Sequence, residues 1–315
     1  MTTALISHPA FLNHLVPPGH AESPERLQAI LEALKTPSFD ALLRRQAPPA
    51  TRAQLERVQT PCHVDHVLDN IPAEGFFSFD PDTPTSPGSG EAALRAAGGV
   101  VSAVDLIMAG EADNAFCASR PPGHHAEAER AMGFCLFNNV AIGALHARVA
   151  HGLKRVAVVD FDVHHGNGTQ AVFWNDSNLF YGSTHQFPFY PGTGAAGETG
   201  HGNIVNVPLP AQAGSAAFRA AITDRVIPAL RRFSPDFLLI SAGFDAHRAD
   251  PLGELMLDEE DFAWVTRALC EVAAMCCDGR LVSVLEGGYN VSALASSVVA
   301  HVAALMKGCV SGDRA

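Results

Sequence analysis

Four short segments of the 315-residue chain gather side chains that can hold a divalent cation, move protons or steady developing negative charge. The first, Asp160-Phe-Asp162-Val-His164-His165-Gly-Asn167, closes an apolar run. In extended backbone, residues two apart point the same way, so Asp160, Asp162 and His164 share a side. The second segment, Phe237-Leu-Leu-Ile-Ser-Ala-Gly-Phe-Asp245, also ends in a carboxylate. Two carboxylates and an imidazole from two strand ends make an open divalent-metal site, with a position left for water or substrate. Because both carboxylates offset the charge of the ion, water bound there is less acidified than in a three-histidine site. Hydrolysis at such a site needs a strong base close by.

The third segment, Arg120-Pro-Pro-Gly-His124-His125-Ala, supplies one: proline and glycine set a tight loop, and paired imidazoles can accept and donate the protons that amide hydrolysis moves. In the fourth, Glu286-Gly-Gly-Tyr289-Asn290, glycines allow a sharp turn that presents a tyrosine hydroxyl to a reacting carbonyl. Taken singly, each has an ordinary explanation as a cap, a solvated pair or a turn. The functional reading rests on four loops carrying complementary roles.

Those loops need strands behind them. Apolar runs bounded by turn signals alternate with helical periodicity from about residue 110 onward, the pattern of a parallel α/β sheet covered on both faces. Strands are expected at 114–118, 155–160, 178–183, 204–207, 236–242 and 281–285. Helices are expected at 24–35, 88–109, 137–151, 214–232, 258–277 and 290–307. Ser23-Pro24-Glu25 starts the first with an N-cap, a proline at the first position and an acidic first turn. The breaker-rich stretch 80–90 reads as a surface loop, and the chain as one α/β domain, 1–315, with the site in long loops at strand carboxyl ends.

Composition narrows the function. A net charge of -12 argues against unaided nucleic-acid binding and favours cationic partners. With no signal-like start and no apolar run of membrane-span length, a soluble cytoplasmic protein is expected. Seven cysteines without a C-x-x-C pair fit neither a disulfide framework nor a cysteine zinc site, and are expected to be reduced and mostly buried. Gly192-Thr-Gly194-Ala-Ala-Gly197 matches a dinucleotide fingerprint in letters, but lacks the preceding strand and following helix.

In these segments the sequence resembles the histone deacetylase and acetylpolyamine amidohydrolase family, whose α/β/α fold is shared with arginases. The matching stretches are Arg120–Ala126, Gly133-Phe-Cys-Leu-Phe-Asn-Asn139, Val159–Gln170, Ser241–Ala246 and Glu286–Asn290, in family order over most of the chain. The resemblance implies one catalytic zinc on Asp162, His164 and Asp245, although the same donors accept iron or cobalt. It implies His125 as base and then acid, His124 as an electrostatic partner oriented by Asp160, and Tyr289 as the carbonyl donor. Asn167 stands behind His125 where many class I members carry Asp, and with Leu252-Gly253 this resembles bacterial class II usage. Without that carboxylate, the His125 pKa is expected to lie below that of Asp-bearing relatives.

The resemblance further implies a narrow tunnel walled by Gly133, Phe134, Tyr190 and Leu252, with Asp82 at its rim. A potassium ion is implied beneath the zinc, near Asp160, Asp162, His164, Ser183 and Thr184. His165 and Ala246 stand where a second metal of arginase type would need carboxylates. The substrate is an acylated amine, either acetyl-lysine in a protein or peptide, an acetylpolyamine or another small amide. No nucleic-acid or membrane partner is implied, and a homo-oligomer is left open. A catalytically silent acyl-amine-binding protein would not need the full set of ligands, histidines and tyrosine.

Overall fold

Strands that read as unbroken Val, Ile and Leu runs require cover on both faces. In the computed structural model, which describes residues 1–308, they receive it. The strands are β1 (Thr3–Ser7), β2 (Leu43–Gln46), β3 (Phe77–Ser78), β4 (Pro84–Thr85), β5 (Asn114–Cys117), β6 (Val156–Asp160), β7 (Leu179–Gln186), β8 (Ile204–Leu209), β9 (Phe237–Ala242) and β10 (Leu281–Leu285). Eight form one sheet in the order β2-β1-β5-β10-β9-β6-β7-β8, every neighbouring pair parallel, while β3 and β4 make a small antiparallel pair. Every residue of β5, β6, β7, β9 and β10 is buried.

The helices are α1 (Pro24–Ala33), α2 (Arg52–Leu55), α3 (Pro61–Asp69), α4 (Ser89–Met108), α5 (Asn139–His151), α6 (Asn167–Phe173), α7 (Ser215–Ala221), α8 (Ile227–Phe233), α9 (Glu259–Cys276) and α10 (Val291–Lys307). With the sheet they form a single three-layer α/β/α domain. Local chemistry sets their ends. Asn138 and Asn290 cap α5 and α10 by accepting from Ala141 N and Ala293 N, each at 3.0 Å. A capping box between Asp258 and Asp261 starts α9. Gly152, at φ 67°, ends α5 in the left-handed conformation that glycine adopts without strain. Fully burying each core Val, Leu or Ile stabilises the fold by about 1.5–3 kcal/mol, so a charge at Val158 or Ile240, both wholly buried, would break the sheet's cover.

Several sequence expectations change. The sheet extends through β1 and β2, which periodicity did not reveal. Ser23 occupies the N-cap of α1, but its side chain makes no capping bond. The helix expected at 214–232 is interrupted by a π-turn at Ile222–Val226. Pro228 lies in the first turn of α8, where it has no N–H to extend a regular ladder. The stretch 80–90 is no surface loop: it contains β4, and Thr83, Thr85, Ser86 and Ser89 are buried. Among the described residues no disulfide forms; Cys117, Cys135, Cys270 and Cys277 are buried and Cys62 is exposed. Cys309 and the domain's expected end at 315 lie outside the described residues.

Candidate metal-dependent active site

The four segments that carry chemistry leave the carboxyl ends of β5, β6, β9 and β10, four neighbouring strands at the centre of the sheet. Register aligns them: Asp160 pairs with Ser241 on one side and Ser183 on the other, and Val284 pairs with both Ser241 and Cys117. Residues far apart in the chain therefore arrive at one place without long side-chain excursions.

Asp162, His164 and Asp245 bring ligand atoms within 4.8 Å of one another. His164 Nδ1 lies 3.2 Å from Asp162 Oδ1 and 3.1 Å from Asp245 Oδ2. The other carboxylate oxygens are fixed by backbone donors, Val163 N to Asp245 Oδ1 at 2.9 Å and Gly287 N to Asp162 Oδ2 at 2.8 Å. A Cβ at Gly287 would collide with both carboxylates, so only glycine lets the turn approach. Burial pushes Asp245 up, helped by Asp162; burial also acts on Asp162, but His124 and His164 hold it well below the carboxylate range. Burial alone would depress His164, yet its two carboxylate partners hold it up to about 10. Two buried carboxylates focused on one nitrogen make a strongly cation-seeking cage, and its donor set suits zinc.

His124 and His125 lie beside this cage, their ring centroids 4.0 Å apart. His124 Nδ1 is 3.0 Å from Asp160 Oδ2 and its Nε2 is 3.9 Å from Asp162 Oδ2. Burial opposes its charge, but Asp162 and Asp160 outweigh burial and hold it up to about 10. His125 Nδ1 faces Asn167 Oδ1 at 2.8 Å. Burial drives His125 well below its ordinary value, and the neighbouring His124 and His164 add to the fall. Behind the pair, Glu286 accepts from Gly123 N at 2.7 Å and His124 N at 3.2 Å, locking the loop after β5 to the loop after β10.

His125, His164 and Tyr289 line a cavity of about 620 Å³ together with Gly133, Phe134, Tyr190, Leu252 and Asp82. Phe134 meets Tyr289 edge-on, with centroids 5.6 Å apart, and Tyr190 meets His125 in the same way at 5.1 Å. Phe134 is held at φ 68°, a strained conformation for a bulky residue, and its N–H donates to Thr83 Oγ1 at 3.0 Å. Burial pushes the Tyr289 hydroxyl well above its usual pKa, so it keeps its proton and can donate. Burial, then Asp80, raise Asp82 to about 6. Ser183 and Thr184 lie in the sheet below, outside the cavity lining; Ser183 Oγ bonds His185 Nδ1 at 2.9 Å, and Thr184 Oγ1 is buried without a partner.

Sequence reasoning missed the residues that support these groups from behind. Arg26 donates to Gly288 O at 2.5 Å, Glu286 O at 2.6 Å and Glu22 Oε1 at 2.8 Å, and its guanidinium lies 4.7 Å from the Tyr289 ring centroid. Arg120 grips both oxygens of the same Glu22, at 2.6 and 2.8 Å. Asp250 accepts from Tyr289 N at 2.6 Å, Asn290 N at 3.1 Å and Leu252 N at 2.9 Å, tying the tyrosine turn to the cavity wall. Their local sequence carried no signal: Glu22 and Arg26 sit in the polar stretch Glu22-Ser-Pro-Glu-Arg26, and Asp250 follows His247-Arg248-Ala249.

A second trio, Asp105, His146 and His151, also brings ligand atoms together. Arg57 lies 2.6 Å from His146 Nδ1, and His146 Nε2 and His151 Nε2 both lie 2.7 Å from Asp105 Oδ1. Both rings are thus already engaged with Asp105 as a partly exposed ion-pair cluster away from the cavity.

A family model described as the histone deacetylase domain matches residues 20–305. The histone deacetylase-like amidohydrolase of Pseudomonas aeruginosa is 42% identical over 281 residues, covering 86% of this chain and 73% of that one. A probable deacetylase of Archaeoglobus fulgidus is 38% identical over 299 residues, covering 92% and 82% of the two chains. The crystal structure of the HDA15 HD domain superposes with a TM-score of 0.90 at 38% identity, covering 98% of this chain and 92% of that one.

Proposed function

The chain belongs to the histone deacetylase family of hydrolases, and from that premise we propose a zinc-dependent amidohydrolase that removes an acetyl or other short acyl group from an amine such as acetyl-lysine. One observation carries the reading: His125, His164 and Tyr289 line the same cavity, with Asp162 and Asp245 directly behind His164.

Zinc held by Asp162, His164 and Asp245 would polarise the acyl carbonyl and the attacking water. His125, kept neutral by burial, accepts the water proton on Nε2 and passes a proton to the departing amine nitrogen as the C–N bond breaks. The products are a carboxylate and a free amine. His124 stays charged between Asp160 and Asp162 and steadies the negative charge on oxygen. Tyr289 donates its hydroxyl to the carbonyl oxygen, while Phe134, Tyr190 and Leu252 shield the substrate's alkyl arm from water. A structural potassium ion near Asp160, Asp162, His164, Ser183 and Thr184 is part of this reading; the orphaned Thr184 Oγ1 marks unspent polar capacity there. So are a single catalytic domain over 1–315, class II character and a cytoplasmic setting. Among the described residues no helix is long and apolar enough to cross a membrane.

Acetylpolyamines are the second substrate class, favoured by Asp82 and Glu254 at the cavity and by the lack of Lys or Arg among its lining residues. Turnover of a fluorogenic acetyl-lysine amide should vanish with a chelator and return with zinc; chelator-resistant turnover would sink the metal. A panel of acetyl-lysine peptides, acetylspermidine and trifluoroacetyl-lysine at equal concentration ranks the substrates, and turnover of none would overturn the deacetylase reading.

A further inference from the structure

Behind His125 the sequence shows only an amide, Asn167, but the structure adds a carboxylate one layer further out. The chain turns after Ala126, with Glu127 N donating to Arg130 O at 3.0 Å, and Glu127 reaches Asn167, the first residue of α6. There Glu127 Oε1 accepts from Asn167 Nδ2 at 2.8 Å. The same Nδ2 also faces His125 O at 3.3 Å and Met132 Sδ at 3.4 Å. A carboxylate, a carbonyl and a thioether are all acceptors, so reversing the Asn167 amide would turn its oxygen onto three of its own kind. Glu127 is the nearest and the only charged member of that trio.

We propose that Glu127 is a positioning residue that fixes the Asn167 amide, and through it the His125 tautomer. With Nδ2 committed to Glu127, Asn167 presents Oδ1 to His125 Nδ1, and a carbonyl oxygen can only accept. Nδ1 therefore carries a hydrogen in every protonation state of the ring, and Nε2 is left with the lone pair that takes a proton. Glu127 is not among the residues that line the cavity, and its Oε2 lies 3.6 Å from Arg130 Nε. The inference rests on the reading of His125 as the general base.

Four variants and one spectrum test it. Glu127→Ala should lower kcat about tenfold with KM little changed, as loss of groups behind a catalytic residue commonly does. Glu127→Gln, whose carbonyl can still accept, should stay within about threefold of wild type. Asn167→Asp alone sets a second carboxylate against Glu127 and should be slow. Combined with Glu127→Ala it should recover above either single variant, because an aspartate needs no outer acceptor to face Nδ1. A double variant no faster than Glu127→Ala would overturn the proposal, since a merely structural Glu127 could not be relieved in this way. Nitrogen NMR of His125 in the wild-type protein should show the hydrogen on Nδ1. Finding it on Nε2 also overturns the proposal, and this readout stands even if no acyl amide is turned over, which would instead count against the enzymatic reading.

Discussion

His124 and His125 are neighbours in sequence and space, yet their surroundings push them in opposite directions. His124 rests on Asp160, with Asp162 beyond its other nitrogen, and is held charged with a pKa of about 10. His125 rests on the neutral Asn167 amide, and burial keeps it uncharged well below its ordinary value. The contrast recurs elsewhere. His164, between two carboxylates, belongs with His124. His165, His185 and His301 have hydroxyl, amide or carbonyl partners, and burial lowers them to about 3, 4 and 3. The histidine pair in itself assigns no roles; the atom behind each ring does.

Removing each ring tests the contrast hardest. His125→Ala should lower kcat on an acetyl-lysine amide about a thousandfold, the scale of a lost general base, while His124→Ala should cost about ten- to a hundredfold. The reverse ranking would exchange their roles. Next comes the carboxylate behind His124. Asp160→Asn should lower kcat about tenfold and bring the His124 pKa, followed by NMR, down from about 10; an unmoved pKa would mean that Asp160 does not hold the charge. A smaller effect is expected in the pH profile. Because His125 is depressed, its base form survives below pH 6.5, and the acidic limb of kcat/KM should lie below that value. A carboxylate at position 167 favours the imidazolium, so Asn167→Asp should move the limb upward; no movement would separate the limb from His125.

The parts of this contrast differed in how far they could be read before folding. Asp160, Asp162 and His164 stood out because two-residue spacing at the end of an apolar run is local geometry. Asp245, His124, His125 and Tyr289 each sat in a loop after a strong strand, and β6, β9 and β10 were recognisable because strands buried on both faces must be apolar. The edge strand β2 carries Arg44 and Arg45 and needs no such pattern, so it was hidden. Glu127, Asp250 and the Glu22, Arg26 and Arg120 cluster were illegible for a different reason. Their roles depend on which backbone groups a turn or a distant loop brings within reach, and single-sequence periodicity carries no trace of that. Asn167 shows the limit well: the sequence reading registered an amide in place of a carboxylate behind His125, but not Glu127, whose Oε1 accepts from the far side of that amide at 2.8 Å.

The neutral histidines also make a prediction about stability, clearest at His301. Thr266 Oγ1 donates to Phe262 O at 2.6 Å, so it accepts from His301 Nδ1 at 2.6 Å, leaving Nε2 to accept from Ser283 Oγ at 2.8 Å. The ring is wholly buried and neutral, with its pKa lowered by burial to about 3, whereas in the unfolded chain it titrates near 6.5. Between those values the unfolded chain binds the extra proton. The stabilising contribution is therefore complete above pH 6.5 and is lost as pH falls toward 3, at about 1.4 kcal/mol per pH unit. At pH 5 this amounts to about 2 kcal/mol, and His165 and His185 act in the same direction. His301→Gln keeps a donor and an acceptor but cannot titrate, so its stability should fall less between pH 7 and pH 5 than that of wild type, by about 2 kcal/mol in denaturant melts. Parallel losses in the two proteins would show that His301 is not among the rings held neutral. His124 has the opposite sign: its raised pKa gives stability that is complete below pH 6.5 and fades as pH climbs toward 10. The two kinds of imidazole should thus erode the fold from opposite ends of the pH scale.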